Sequence, residues 1–169
     1  MKSVLISIRP ELVEKITTGK KKIEVRKTAP KEVPFKAYIY CTKAKRKWRL
    51  WDYEGAYRNT EGEIVYAQQH IIGEFVCDKV FLLYPYSYDG GNADLGHRKF
   101  IQTFEGSSKD NEILSATCLS QAEMFDYIGV GNYGYGWHIS DLKLYDKPLS
   151  LSKLGKKSPP LSWQFLEEI

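Results

Sequence analysis

The stretch TTGKKKIEVRK, Thr17 to Lys27, sets a glutamate between two β-branched apolar residues and rings it with lysine and arginine. As a strand, Ile23–Arg26 sends Glu24 and Arg26 to one face and Ile23 and Val25 to the other. The sequence thus places an acid and two bases, Lys21 and Arg26, on the polar side of a strand beside a glycine turn. A solvated, decorated surface and a ligand pocket both account for such a pattern.

Upstream, Ser3–Ile8 is a short apolar run of the kind that forms a buried strand. Pro10 stands where a helix tolerates proline best, Glu11 and Glu14 suit the first turns, and Gly19 closes the segment. Leu12, Val13 and Ile16 fall at helical spacing and make one core stripe. Downstream, FKAYIYC (35–41) alternates as a strand. The basic, aromatic segment that follows, a Gly62 turn and EIVYA predict a hairpin excursion over 43–67. HIIGEFVCDKVFLLYPY is the most apolar stretch, and its Gly73 predicts a bulge or a close backbone approach. Residues 87–112 are rich in Gly, Asp, Asn and Ser and read as a surface insertion, with a short amphipathic piece around Phe100–Phe104. In SQAEMFDYIG, Ser120 and Glu123 form a capping box and Gly129 a stop. The run through GWHISDLKLYDKPLSL is a long strand whose apolar phase slips between Ile139 and Leu142, as a bulge would make it. The tail carries Trp163 and Phe165, two aromatics expected to be buried. Five to seven strands, one early helix and one late helix predict an α+β protein with a mostly antiparallel, curled sheet: a β-barrel with flanking helices. The chain is read as one domain, 1–169.

The 169 residues are 43% hydrophobic and 27% charged, ordinary for a globular protein. The net charge of +4 permits a polyanionic partner without requiring one. Cys41, Cys77 and Cys118 are far apart and lack metal-ligand spacing, which points to free thiols in a reducing compartment and away from disulfides or a structural zinc. The six-residue apolar-rich run before Arg9 is too short for a signal peptide, and no apolar run is long enough to span a bilayer. A cytoplasmic protein needing neither metal nor cofactor is expected, with no membrane partner.

Gly19, Lys21, Glu24 and Arg26 match Gly-x-Lys-x-x-Glu-x-Arg, and the chain resembles the ASCH domains, relatives of the PUA RNA-binding fold. The order of pieces agrees: ISIRPELVEKITTGKKKIEVRK, then YIYCT, IIGEF and GWHISDLKLYDKPLSL, with a closing PPLSWQF that resembles a phage- and Firmicutes-type branch. The resemblance implies a PUA-like pseudo-barrel with a cleft beside the signature, binding RNA, single-stranded nucleic acid or a nucleotide-like small molecule. It also implies, as an alternative, a small hydrolase of acetylcytidine type or a ribonuclease. In the amidohydrolase branch a lysine and a threonine share the signature turn; Lys21 matches the lysine, whereas Glu24 takes the threonine's place. A prophage-encoded protein-interaction module, docking through 87–112, is a third reading.

In chemical terms, a lysine beside a glutamate in an enclosed cleft can act as nucleophile or base, so Lys21 and Glu24 are the candidate catalytic pair. Arg26 can hold phosphate or orient Glu24. In KAKRKWRLW, the side chains of Lys45, Lys47 and Arg49, with Trp51 at the end, would line one face of an extended segment. That pattern is what single-strand binding uses, although lysines also protect an exposed edge strand. His138, in YGWHIS, is a candidate acid or base if it stands near Glu24 and Lys21, and an ordinary strand histidine otherwise.

Overall fold

A computed structural model describes residues 1–44, 55–88, 98–103, 107–129 and 131–167. Strand β1 (Ser3–Ile8) runs into helix α1 (Pro10–Thr17), which leads through a tight bend to β2 (Ile23–Arg26) and β3 (Phe35–Cys41). A two-stranded hairpin, β4 (Tyr57–Arg58) with β5 (Ile64–Val65), precedes β6 (Ile71–Cys77), β7 (Val80–Tyr88) and β8 (Arg98–Thr103). Helices α2 (Ser107–Ser115) and α3 (Gln121–Ile128) follow, and β9 (Gly134–His138), β10 (Ser140–Leu149), a 3-10 turn at Leu151–Leu154 and β11 (Trp163–Phe165) complete the chain.

The strands form a five-stranded sheet ordered β10-β6-β3-β1-β11 and a four-stranded sheet ordered β2-β9-β7-β8. Every main pairing is antiparallel except β1 with β3, whose connection passes through α1 and β2. The α+β class and the antiparallel bias agree with the sequence reading. Two corrections apply: the described strands number eleven, and the two sheets remain separate ladders instead of one closed barrel. The long strand expected near the C-terminus is broken into β9 and β10 at Ile139, where the chain passes from the four-stranded to the five-stranded sheet, and within β10 Asp141 adopts φ 46° and the register slips between Ser140 and Lys143. That slip is the predicted change of phase. The predicted piece at Phe100–Phe104 overlaps β8, which pairs with β7 at the edge of the four-stranded sheet.

One core fills the space between the sheets. Val4, Ile6 and Ile8 of β1, Phe35, Ala37 and Ile39 of β3, and Ile72 and Phe75 of β6 meet the buried stripe of α1 and Trp137 of β9. Burying such side chains contributes about 1.5–3 kcal/mol each, which fixes α1 and with it the bend after Thr18. A smaller cluster, Val25, Leu83, Met124 and Ile128, seats α3 against the four-stranded sheet. The capping box at Ser120 and Glu123 is present, and Gly129 ends α3. Gly73 has the close approach its position suggested: a Cβ there would lie 2.3 Å from the Lys143 carbonyl oxygen. Trp163 is half-buried against Trp137, whereas Phe165, expected inside, is 49% exposed.

Candidate functional site

The α1–β2 bend builds the site. Gly19 turns the chain at φ 72°, and the Lys21 N–H donates back to the Lys15 carbonyl at 2.8 Å, which aims the Lys21 side chain inward. In β2, Glu24 stands opposite Trp137 and Arg26 opposite Tyr135. Directly opposed residues share a face, so Glu24 and Arg26 project with Trp137 toward the core between the sheets. The result answers the question posed by TTGKKKIEVRK. Lys21, Glu24 and Arg26 are 1%, 2% and 6% exposed, so none of the three fans out into water.

Glu24 lies between the two cations. Its Oε1 takes Arg26 at 2.9 Å and its Oε2 lies 3.3 Å from the Lys21 ammonium. Each cation also reaches across to a different part of the fold. Lys21 Nζ donates to the Thr117 carbonyl at 2.6 Å, beyond α2. Arg26 donates to the Ser7 carbonyl at the end of β1 at 2.6 Å and to the Ser162 hydroxyl at 3.4 Å. Burial of three ions is tolerable only with this degree of pairing. Even so, Glu24 Oε2 and Arg26 Nε are buried without a hydrogen-bond partner.

These side chains line a cleft of about 400 Å³. Leu119, Glu123 and Tyr127 come from α3 and the residue before its cap; Pro159, Pro160 and Leu161 come from the segment before β11, and Arg9, Leu12 and Thr42 complete the lining. The Pro159–Leu161 wall is tied to β1, since the Ser7 hydroxyl donates to the Pro160 carbonyl at 2.7 Å and the Ser7 N–H to the Ser162 carbonyl at 2.9 Å. Leu161 is fully exposed at the rim. The lining holds three cations, Arg9, Lys21 and Arg26, against two carboxylates, Glu24 and Glu123, a net charge of +1. Hydrogen bonds from the Ser120 backbone and side chain hold the Glu123 carboxyl below the usual range, with a smaller contribution from Lys15 and Arg9.

His138 stands opposite Ile23 and therefore on the face away from Glu24. It does not line the cleft; its Nδ1 is 2.7 Å from the Asp78 carboxylate. That contact holds the Asp78 carboxyl below its ordinary range. Lys45, Lys47, Arg49 and Trp51 lie outside the described residues. The walls were missed by sequence reasoning. Tyr127 sits in a capped amphipathic helix and Leu119 just before its cap, with nothing to mark them, and only the run PPL, too stiff and apolar for an ordinary surface turn, hints at the other side. Among the described residues no His, Cys, Asp or Glu cluster is arranged to hold a metal ion, and no helix is long and apolar enough to cross a membrane.

A chain with this pair of sheets, and a cleft opened between them over a signature bend, has the fold of the ASCH domains. It aligns with the crystal structure of ASCH from Zymomonas mobilis at a TM-score of 0.60 and 17% identity, over 99% of this chain and 89% of that one. Tyrosine-to-phenylalanine and serine-to-alanine mutants of that protein align at a TM-score of 0.59 and 17% identity, each over 99% of this chain, with 92% and 89% of their own chains covered. The likeness is one of fold. No protein-family model matches the sequence, and no curated protein does.

Proposed function

We propose that the cleft binds one base of an RNA strand, or the base of a modified nucleotide, through the Glu24 carboxylate. The observation that carries this reading is Glu24 Oε2, which faces the Lys21 ammonium at 3.3 Å but takes no hydrogen bond, beside an Arg26 Nε that makes none, in a cleft of about 400 Å³. A buried polar atom without a partner is costly, and a ligand edge offering one donor and one acceptor would satisfy both. The walls suit a flat ring, being Leu119, Tyr127, Pro159, Pro160 and Leu161. The terminal nitrogens of Arg26 serve Glu24, the Ser7 carbonyl and Ser162, which leaves only its Nε for the ligand edge; contact with phosphate would fall to Arg9 at the rim.

A titration with short RNAs, single-stranded DNAs and free nucleosides at low salt, followed by fluorescence anisotropy or calorimetry, tests the reading. Saturable binding that Leu161→Ala or Tyr127→Ala weakens supports it; no binding across a varied pool defeats it. The hydrolase reading has its own supporting observation, the 3.3 Å approach of Lys21 to Glu24 inside the cleft. Turnover of acetylcytidine that vanishes in Lys21→Ala would replace binding by catalysis.

A further inference from the structure

The linker between α2 and α3 is grasped from the α1–β2 bend at three successive carbonyls. That of Ala116 accepts the N–H groups of Lys22 at 2.9 Å and Ile23 at 3.0 Å. That of Thr117 accepts Lys21 Nζ at 2.6 Å, and that of Cys118 accepts Lys15 Nζ at 3.2 Å. Thr117 is itself fully buried; its hydroxyl donates to the Leu114 carbonyl and accepts the Leu119 N–H. Cys118 holds φ 55°, a left-handed conformation that costs a non-glycine residue about 1–2 kcal/mol and persists only where its surroundings enforce it. Immediately beyond stand Leu119, Glu123 and Tyr127, one wall of the cleft.

Of the two ammonium groups on this linker, that of Lys21 belongs to the cleft floor. Lys15 is different: it sits in the last turn of α1, half-buried, and is absent from the cleft lining. We propose that Lys15 is a positioning residue for the cleft, its ammonium fastening the Cys118 carbonyl so that the strained linker sets the distance of Leu119, Glu123 and Tyr127 from Glu24. A charged donor on a main-chain acceptor is stronger than a neutral one, and it acts at the one carbonyl of the three that follows directly from the left-handed residue. The consequence for ligand affinity rests on the binding reading above; the positioning itself does not.

The protein carries its own probe of this contact. Cys41 and Cys77 are buried, and burial pushes both thiols up to about 12, whereas Cys118 is partly exposed and lies in the linker. Labelling with dithiobis(nitrobenzoate) at pH 8 therefore reads access to the Cys118 thiol, which release of the linker increases. Lys15→Met is expected to speed Cys118 labelling by about tenfold, the effect of losing one charge-assisted hydrogen bond, with Cys41 and Cys77 still slow and the circular dichroism native. Lys15→Arg restores a cationic donor and is expected to return the wild-type rate. Lys22→Met, whose backbone alone holds the linker, leaves it unchanged. If Lys15→Met fails to fold, Lys15→Gln is judged by the same comparison with Lys15→Arg. An unchanged Cys118 rate in a folded, charge-deleted variant, or failure of Lys15→Arg to rescue, overturns the proposal. A short RNA or nucleoside that binds the wild type is expected to bind Lys15→Met more weakly through faster release, with Lys15→Arg again restoring it. If no such probe binds the wild type, the functional reading fails while the labelling rates still decide the role of Lys15.

Discussion

Replacing Glu24 by Gln keeps the shape of the side chain and removes the negative charge that holds two buried cations. At an effective dielectric constant of about 20, a unit pair at 2.9 Å attracts by about 6 kcal/mol and one at 3.3 Å by about 5 kcal/mol. Desolvation of all three ions offsets most of that gain, so the intact triad adds little net stability. Removing one member is another matter. Lys21 and Arg26 stay buried, each with its carbonyl but without its counter-charge, and breaking a buried pair in this way costs about 3–5 kcal/mol. For a chain of this size that corresponds to a fall in melting temperature of about 6–20 °C. Thermal and urea unfolding of Glu24→Gln, Lys21→Met and the double variant measures it. The double variant is expected to lose less than the two singles added together, with a coupling of about 1–3 kcal/mol, because the second change removes a cation that the first left unpaired. Lys2→Met is the control: its partner is Glu32, both side chains are more than half exposed, and such pairs contribute about 0–1 kcal/mol. A Glu24→Gln protein as stable as that control, with additive singles, would mean that water reaches the triad, and the buried floor would have to be given up.

Three further outcomes follow from other parts of the fold. Gly73→Ala is expected to destabilise by about 1–3 kcal/mol in urea unfolding, because the new methyl group would meet the Lys143 carbonyl of the paired strand rather than a movable side chain. Ser120→Ala removes the acceptor for the Glu123 N–H and is expected to lower stability by about 1 kcal/mol, with α3 amides exchanging faster while those of β1 and β3 keep their protection. The Glu74 carboxyl is raised by burial, but the Tyr145 hydroxyl at 2.6 Å and the Lys36 ammonium at 3.0 Å outweigh that and leave it below its ordinary value. A lowered carboxyl stabilises the fold above its unfolded value of about 4.3, and the contribution is lost as pH falls through the folded value. Tyr145→Phe is therefore expected to cost about 1 kcal/mol at pH 7 and clearly less at pH 3, checked by urea unfolding at both.

How much of this was legible in the chain follows from how far apart the interacting residues lie. Gly19, Lys21, Glu24 and Arg26 fall within eight residues, so the bend and the strand phase that bring them together are local, and period and turn chemistry suffice to see them. The same holds for the capping box at Ser120 and the slip near Asp141, whereas at Gly73 the glycine marks a close approach without naming Lys143, which supplies it. What makes a buried floor out of a charged strand is not local. Thr117 is 96 positions from Lys21, and Ser162 is 136 from Arg26; both arrive through sheet order. Charged residues at alternate positions describe a solvated strand face equally well, and only the partners across the cleft separate the two cases. His138 shows the converse case. Its role as acid or base depended on a place beside Glu24, and antiparallel pairing sets it opposite Ile23 instead, one residue out of phase, where a shift of one residue moves a side chain through the sheet. The separate sheets have a similar origin: alternation predicts strands but not which edges remain unpaired, and the number of residues in β9 before the break at Ile139 decides where the ladder ends. Tyr127 carries no signal, and Leu161 only the faint one of the PPL run, since each lines a wall of the cleft that the other elements complete. It is on those two, whose replacement disturbs no buried charge, that binding can be separated from folding.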